Sequence, residues 1–535
     1  MDRPAPPLDV NTATARRVAV AAALVAAGNI LSRLLGLVRE PVIAALFGLS
    51  GATDAFEVAT RLPQLVHELV IGGAVSGVLI PLFSEMAADD RRLARTFSSL
   101  ITSVGVALIG VTVVLVALAE PLVAAAAPGL PAETRDLAVV MTRITLPAVL
   151  FLGLSAVTAA RLYARDRFAA PSFAPATLNG TLIVLALALT PAVGPVGVAI
   201  GYLAGAGAHL LVQLPALLRD GVRITTPAWR GNSDTSRALR LYLPIAAGLV
   251  VAQALVIVDT NLASRTGEGS LAIMRFATRL QQFPLGLIGS AIALAFLPVL
   301  ARSAPERARD LVNATEFKSA LMAAARSAFV LMVPVTVILT ALSVPVIRVV
   351  YERVAFDASA TDLTGLALLI YAVQLPITVL DQIFIAAFYA TRNTLTPVLV
   401  GVGGGVAYLV AALALVEPFG VFGLVAANSV QNSLHGVVLG WLLWRRLGGF
   451  GDPGLWFFGL RVIVAGGLAA AVGLFLREWS TVALEPAGTA GWRVLLASGA
   501  GIVIVYVATL ALLRVPEVPQ LVELIRNRLR ARGAS

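Results

Sequence analysis

An all-α, polytopic membrane protein with about fourteen transmembrane helices is the fold this sequence predicts, on three observations. Of the 535 residues 58% are hydrophobic and the mean hydropathy is +0.89, values beyond the range of soluble globular chains. Apolar stretches of roughly 17 to 25 residues, the length at which a helix crosses a bilayer, recur along the whole chain. Arginines then gather in alternate connections between those stretches, the bias that places short cationic loops in the cytoplasm.

The expected spans run over 18–48, 52–86, 97–119, 135–162, 173–192, 195–218, 238–264, 269–301, 322–348, 362–391, 395–416, 420–444, 456–476 and 491–514. Arg3, Arg16 and Arg17 precede the first. Arg91, Arg92 and Arg95 follow the second, Arg161, Arg165 and Arg167 the fourth, and Arg219, Arg223, Arg230, Arg237 and Arg240 the sixth. The bias continues with Arg302, Arg307, Arg309 and Lys318 after the eighth, Arg392 after the tenth, and Arg445 and Arg446 after the twelfth. Both termini are therefore expected in the cytoplasm. The apolar run from Val18 to Gly28 imitates a signal peptide, but it continues through Arg33 into further spans and reads as a first transmembrane helix. In the tail, Leu521, Leu524, Ile525 and Leu529 share one helix face with Arg526, Arg528, Arg530 and Arg532 beside it, a pattern open to a solvated basic tail or an interfacial helix.

The net charge of +10 and the pI near 10.6 belong to these loops, not to one basic module, so no nucleic-acid partner is expected. Cysteine is absent, and the three histidines, His67, His209 and His435, have no metal-ligand spacing. No disulfide framework, thiol nucleophile or catalytic metal is expected.

A repeat organises the chain. Ala59-Thr60-Arg61-Leu62 with Gln64 returns as Ala277-Thr278-Arg279-Leu280 with Gln282, at an offset of 218. Tyr163-Ala164 with Pro171 returns as Tyr389-Ala390 with Pro397 at 226, and Pro121 as Pro345 at 224. Six spans per copy give both copies one orientation, hence two six-helix lobes related by a parallel pseudo-two-fold axis around a central cavity. The expected organisation is a cytoplasmic N-terminal segment 1–17, an N-lobe 18–218, a cytoplasmic linker 219–237, a C-lobe 238–444, two further helices in 445–514 and a basic cytoplasmic tail 515–535.

Charge inside the spans carries the functional signal. A charged side chain at mid-bilayer costs about 2.5–3.5 kcal/mol on insertion scales, so such residues face a bundle interior or a wet cavity. The candidates are Arg33 and Arg39 in span 1, Asp54, Arg61 and His67 in span 2, Asp259 in span 7, and Arg275 and Arg279 in span 8. Arg33 and Arg39 lie mid-span with Gly36 between them, separated by about 9 Å of helix rise. That places two guanidiniums to grip different parts of one large anion, which guanidinium binds bidentately when the anion is a phosphate or carboxylate; the competing readings are snorkelling and pairing with Glu40. Asp54 serves equally as a helix N-cap. His67 also reads as a packed histidine, Asp259 as a cation ligand or an arginine partner, and Gly72-Gly73 and Gly403 to Gly405 as close-packing or bending points.

At these residues the sequence resembles the MurJ/MviN family of lipid II flippases, within the multidrug, oligosaccharidyl-lipid and polysaccharide exporter superfamily. The matching pieces are SRLLGLVRE (Ser32 to Glu40), ATDAF (Ala52 to Phe56), RLPQL (Arg61 to Leu65), GAVSGVLIPLFSE (Gly73 to Glu85), APGL (Ala127 to Leu130), RFAAPSFAPATLN (Arg167 to Asn179), QLPALLRDG (Gln213 to Gly221), ATRLQQFPLG (Ala277 to Gly286) and FYATRNTLTP (Phe388 to Pro397). The resemblance implies a transporter, not an enzyme. It would carry lipid II, the undecaprenyl-pyrophosphate precursor of peptidoglycan, from inner to outer leaflet of the bacterial cytoplasmic membrane by alternating access. The family's cavity residues match Arg33, Arg39, Asp54 and Arg279, and a further family arginine falls at His67. Some members bind sodium in the second lobe; Asp259 matches their span 7 aspartate, whereas span 11 offers no carboxylate partner. No cofactor is implied beyond coupling to membrane potential or a monovalent cation. The implied partners are lipid II or a related polyprenyl-pyrophosphate glycolipid, membrane lipids and cell-wall synthesis proteins. The alternatives are a flippase of another polyprenyl-linked saccharide, a drug/cation antiporter of the same superfamily, and a scaffold that has lost transport. A membrane glycosyltransferase would need catalytic carboxylates on an outer loop, and the first such loop has only Asp54 at its edge.

Overall fold

The computed structural model describes residues 12–71, 78–221, 253, 255–305, 311–312, 314–484 and 491–517. Arg3, Gly72-Gly73, the linker from residue 222, the first half of span 7, Arg307, Arg309 and the tail beyond Glu517 lie outside the described residues, as do the side chains of Arg16 and Arg17. Among the described residues every element is a helix. Eight stretches, two of them the consecutive helix pairs in 132–164 and 196–219, are long and apolar enough to cross a membrane, and a ninth joins them if the pair 358–372 and 375–390, bent by 45°, is one span.

Packing divides the chain into two compact units, Met1–Leu271 and Ala272–Ser535. The first contains α1 (Thr12–Phe47), α2 (Gly51–Ile71), α3 (Ile80–Glu85), α4 (Asp90–Ala117), α5 (Ala119–Ala126), α6 (Ala132–Thr145), α7 (Ala148–Ala164), α8 (Ala169–Val193), α9 (Val196–Leu211), α10 (Leu214–Arg219) and α11 (Leu255–Ser264). The long α12 (Ser270–Ser303) opens the second. It is followed by α13 (Thr315–Ala341), α14 (Ser343–Tyr351), α15 (Ala358–Ala372), α16 (Leu375–Ala390), α17 (Leu395–Phe419), α18 (Val421–Leu447), α19 (Leu455–Leu484) and α20 (Gly491–Leu512).

The expected spans fall on these helices, with breaks where the sequence explains them. Span 3 starts earlier, at Asp90, because the Asp89 side chain accepts from the N–H groups of Arg91 and Arg92 and so caps α4. Span 4 is two helices, α6 and α7, broken at Leu146 and Pro147. Prolines inside α2 and α13 leave a backbone carbonyl four residues earlier without its helical donor. In α2, Pro63 strands the Ala59 carbonyl, and Thr145 donates its hydroxyl to it at 2.6 Å. In α13, Pro334 strands Val330, and Tyr506 of α20 supplies the hydroxyl at 2.9 Å. Each proline thus becomes a tie between helices.

Two equivalent stretches show how closely the copies match inside their own units. Helices α8 and α17 are both 25 residues long and start 226 residues apart. Both end at a glycine with positive φ, Gly194 (63°) and Gly420 (56°). The turns before them place Asp166 and Arg392 at φ 57° and 56°, and close with Arg167 N–H to Leu162 O and Asn393 N–H to Phe388 O, again 226 apart. At the next turn Gly197 and Gly423 lie against the end of the preceding helix. A Cβ on Gly423 would sit 2.1 Å from the Leu415 carbonyl oxygen. Gly423→Ala is therefore expected to cost about 1–3 kcal/mol of stability through overpacking, read as a fall in thermal midpoint of the detergent-purified protein; an unchanged midpoint would contradict this packing.

Connections also sort by side within each unit. In the first unit, the ends near Gly51, Gly129 and Ser264 to Gly269, which follow spans 1, 3 and 7, meet. Arg165, after span 4, reaches the Ala87 carbonyl and Asp90 after span 2 and Asp220 after span 6. In the second unit, Arg326 near the start of α13 pairs with Asp452 after span 12 and Glu517 after span 14. Odd connections meet odd and even meet even, as successive membrane crossings require, and the arginine-rich connections are the even set.

Candidate functional site

The charges of α1 and α2 are fixed by neighbours within the first unit. Arg39 donates from Nε and Nη2 to Glu40 Oε1, at 3.1 and 2.6 Å, and from Nη1 to Asn179 Oδ1 at 3.0 Å. Asn179, on α8, is itself oriented by an N–H bond to the Ser32 carbonyl. Glu40 is 1% exposed and Arg39 14%, so this is a nearly buried, charge-assisted cluster in which the planar guanidinium is held on two sides. Helix α8 comes this close because Gly28 of α1 packs against the Ser172 backbone, with no room for a Cβ. Arg33, six residues earlier on α1, is exposed and makes no hydrogen bond or ion pair to the described residues. Asn179 escaped the sequence reading because it is 140 residues from Arg39; it closes the matched segment RFAAPSFAPATLN, the one signal that pointed to it.

On α2, Arg61 pairs with Glu57 one turn back at 2.8 Å, and its Nε is buried without a partner. It stands at the wall of a cavity of about 150 Å³ lined by Val58, Leu62, Leu65, Val123, Val256 and Ile257, from α2, α5 and α11. His67 is half-buried, with Nδ1 unpartnered.

Asp54 is buried, and its Oδ2 accepts the Gly269 N–H at 2.7 Å. Reciprocally, Glu268 Oε1 accepts the Gly51 N–H at 2.6 Å. Carboxylates thus clasp the start of α2 to the turn before α12, where helix N-termini favour negative charge. Gly129 N–H to Ser264 Oγ (3.2 Å) and Asn261 Nδ2–H to the Ala125 carbonyl (2.8 Å) extend the clasp to the α5–α6 connection. Asp259 is half-buried on α11, which packs in the first unit although the sequence repeat places span 7 at the head of the second copy. Arg275, buried, and Arg279, half-buried, lie on α12 in the second unit. The first unit therefore gathers Arg39, Glu40 and Asn179 in one cluster, Arg61 and Glu57 in another, and Asp54 in a third.

A polytopic helical bundle with arginines and carboxylates held among apolar helices is the architecture of a membrane transporter. The family model described as lipid II flippase MurJ matches residues 43–487. The probable lipid II flippase MurJ of Rhizobium meliloti is 31% identical over 490 residues, covering 89% of this chain and 90% of the relative. Among solved structures, a lipid II flippase MurJ in an inward closed conformation superposes with a TM-score of 0.74 at 22% identity, over 91% of this chain and 98% of that one. An inward-facing MATE-family multidrug transporter of the MOP superfamily gives 0.65 at 18% identity, over 78% and 95%. The chain belongs to the lipid II flippase MurJ family.

Proposed function

We propose that this protein carries lipid II, the undecaprenyl-pyrophosphate-linked peptidoglycan precursor, from the inner to the outer leaflet of the bacterial cytoplasmic membrane by alternating access, with both termini in the cytoplasm. Family membership over most of the chain supports the cargo, and the observation that carries the chemistry is Arg39, a guanidinium fixed in plane by Glu40 and Asn179. In this reading Arg33, exposed and unengaged in the first unit, Arg39 and Arg279 receive the pyrophosphate and sugars, Arg61 and His67 line the path, and the polyprenyl chain stays in lipid. Cargo charge neutralises the cavity and favours closure. An inside-negative potential, worth about 2.3 kcal/mol per charge per 100 mV, then draws the empty cationic cavity back inward. Asp259 is the site for any monovalent cation that couples to the cycle, and the cell-wall synthesis proteins that use the flipped precursor are the natural partners.

The test is lipid II exposure on cells depleted of their own flippase and supplied with this chain, read by an external enzyme that cleaves only exposed lipid II. Restored exposure that falls at least tenfold with Arg279→Ala is the expected result. Absence of exposure from a well-expressed, membrane-inserted chain, persisting in His67→Arg, would overturn the cargo assignment in favour of another polyprenyl-linked saccharide.

A further inference from the structure

We propose that Asp381 and His435 form a proton-binding site inside the second unit, with one exchangeable proton held by an imidazolium–carboxylate pair. His435, in the middle of α18, donates from Nδ1 to Asp381 Oδ1 of α16 at 2.8 Å, and both side chains are largely enclosed, at 16% and 14% exposure. An ionised carboxylate only accepts, so Nδ1 carries a proton in this bond, and the facing negative charge favours the doubly protonated, cationic ring. The pocket is shaped to the ring. Gly401 and Gly404 of α17 leave a notch in which a Cβ would lie 3.7 Å from Nε2 and 3.9 Å from Cδ2. Gly436, next to His435, has no room for a Cβ, which would come within 2.8 Å of Ile377 Cγ2 and 3.2 Å of Asp381 Cβ on α16.

The first unit contains the same pair in a different chemical form. Ser155 and His209 stand 226 residues before Asp381 and His435, and join through Ser155 Oγ and His209 Nδ1 at 2.6 Å. Gln213 donates its amide N–H to Ser155 Oγ, leaving the serine hydroxyl proton for Nδ1, so His209 is satisfied as a neutral ring. One scaffold thus appears twice, closed by a neutral pair in the first unit and by an ionisable pair in the second. Loss of the second proton from His435 removes the positive charge facing Asp381 and so weakens the α16–α18 tie.

The other charged groups on the helices packed against this pair lie elsewhere. On α13, Arg326 is engaged by Asp452 and Glu517, Lys318 bonds the Val312 carbonyl, and Glu316 lies in the first turn. On α18, Arg445 and Arg446 stack on Trp441 and Phe388, roughly 15 Å along the helix from His435. Glu417 is in the last turn of α17, and Asp362 is two turns from the Ile370 carbonyl where Ser429 ties α15 to α18. Asp381 is the one charged group bonded to the ring among the described residues.

Three histidines make the test direct. In the full chain reconstituted in lipid with ¹⁵N-histidine, the resonance lost in His435→Asn is expected to show two protonated ring nitrogens at neutral pH and a single one-proton transition as pH rises. In Asp381→Asn that doubly protonated form is lost at neutral pH, while the His209 signal is unmoved. A His435 ring that is a neutral tautomer throughout roughly pH 5 to 9, or that titrates identically in Asp381→Asn, overturns the site. Sodium or potassium shifting this resonance at fixed pH assigns the site to a monovalent cation instead, and overturns it as a proton site. This readout does not depend on the cargo. A second arm rests on the flippase reading: lipid II exposure varies severalfold between acidic and alkaline medium in the wild type and is flat in Asp381→Asn of unchanged thermal midpoint. Exposure equally pH-dependent in both overturns coupling of the proton to transport.

Discussion

Arg39→Ala is expected to abolish lipid II exposure by this chain, and Arg39→Lys to restore only a minor part of it. The arginine makes three bonds to two acceptors on different helices, Glu40 beside it and Asn179 on α8, and no lysine rotamer reproduces that fork. Hydrogen bonds to charged groups contribute about 1.5–3 kcal/mol each, and breaking a buried pair by removing one partner costs about 3–5 kcal/mol. Loss of transport in the single variant is therefore ambiguous by itself, since the buried Glu40 carboxylate loses the guanidinium bonded to it. The double variant Arg39→Ala/Glu40→Ala separates the causes. It removes both charges, so its thermal midpoint is expected to recover toward wild type while exposure stays at background, as the proposed role of Arg39 as pyrophosphate donor requires. Transport by the double variant would reduce Arg39 to a structural partner of Glu40. Asn179→Ala is the graded companion: it frees one side of the guanidinium and leaves the charge in place, so exposure falls without disappearing.

The sequence reached the fold because membrane helices announce themselves twice, through apolar length and through the arginines between them. Residues such as Arg91 and Arg165 sort the connections, and the even connections do meet in the structure. Breaks were less legible. Pro63 and Pro334 look like helix kinks in sequence, whereas their stranded carbonyls are taken by Thr145 and Tyr506, 86 and 176 residues from their acceptors. Polar partners at such distances have no local signature. Glu40 was visible beside Arg39 and Asn179 was not; Asp54 offered a cap or a cavity carboxylate, and in the structure it accepts from Gly269, 215 residues away. The repeat was the one sequence signal able to cross these distances. Extended from Tyr163 and Tyr389 to the histidines, the same offset of 226 pairs His209 with His435, and the structure supplies Ser155 and Asp381 at that offset too.

Asp54→Ala is expected to open the clasp at the ends of α2, α5 and α11, the end that faces outward in the proposed topology. Asp54 Oδ2 accepts from Gly269 while Glu268 accepts from Gly51, so two carboxylates hold the two ends reciprocally. The clasp is also tight by shape: a Cβ on Gly51 would meet Thr134 Oγ1 at 2.3 Å, and one on Gly129 the Ser264 carbonyl at 2.4 Å. Losing one charge-assisted bond weakens it by about 1–3 kcal/mol, which raises the open fraction by about 5- to 150-fold. The chain has no cysteine, so a single Ser270→Cys, at a position only 4% exposed beside Gly269, reports opening without background. Membrane-impermeant maleimide added outside should label Ser270→Cys slowly in the parent and at least fivefold faster with Asp54→Ala. Asp54→Asn keeps an acceptor for the Gly269 N–H and should return most of the protection, while transport still suffers from the lost charge. Equal labelling with and without Asp54→Ala would mean that the carboxylate does not hold this end shut, and its contribution to transport would then have to lie with the cargo.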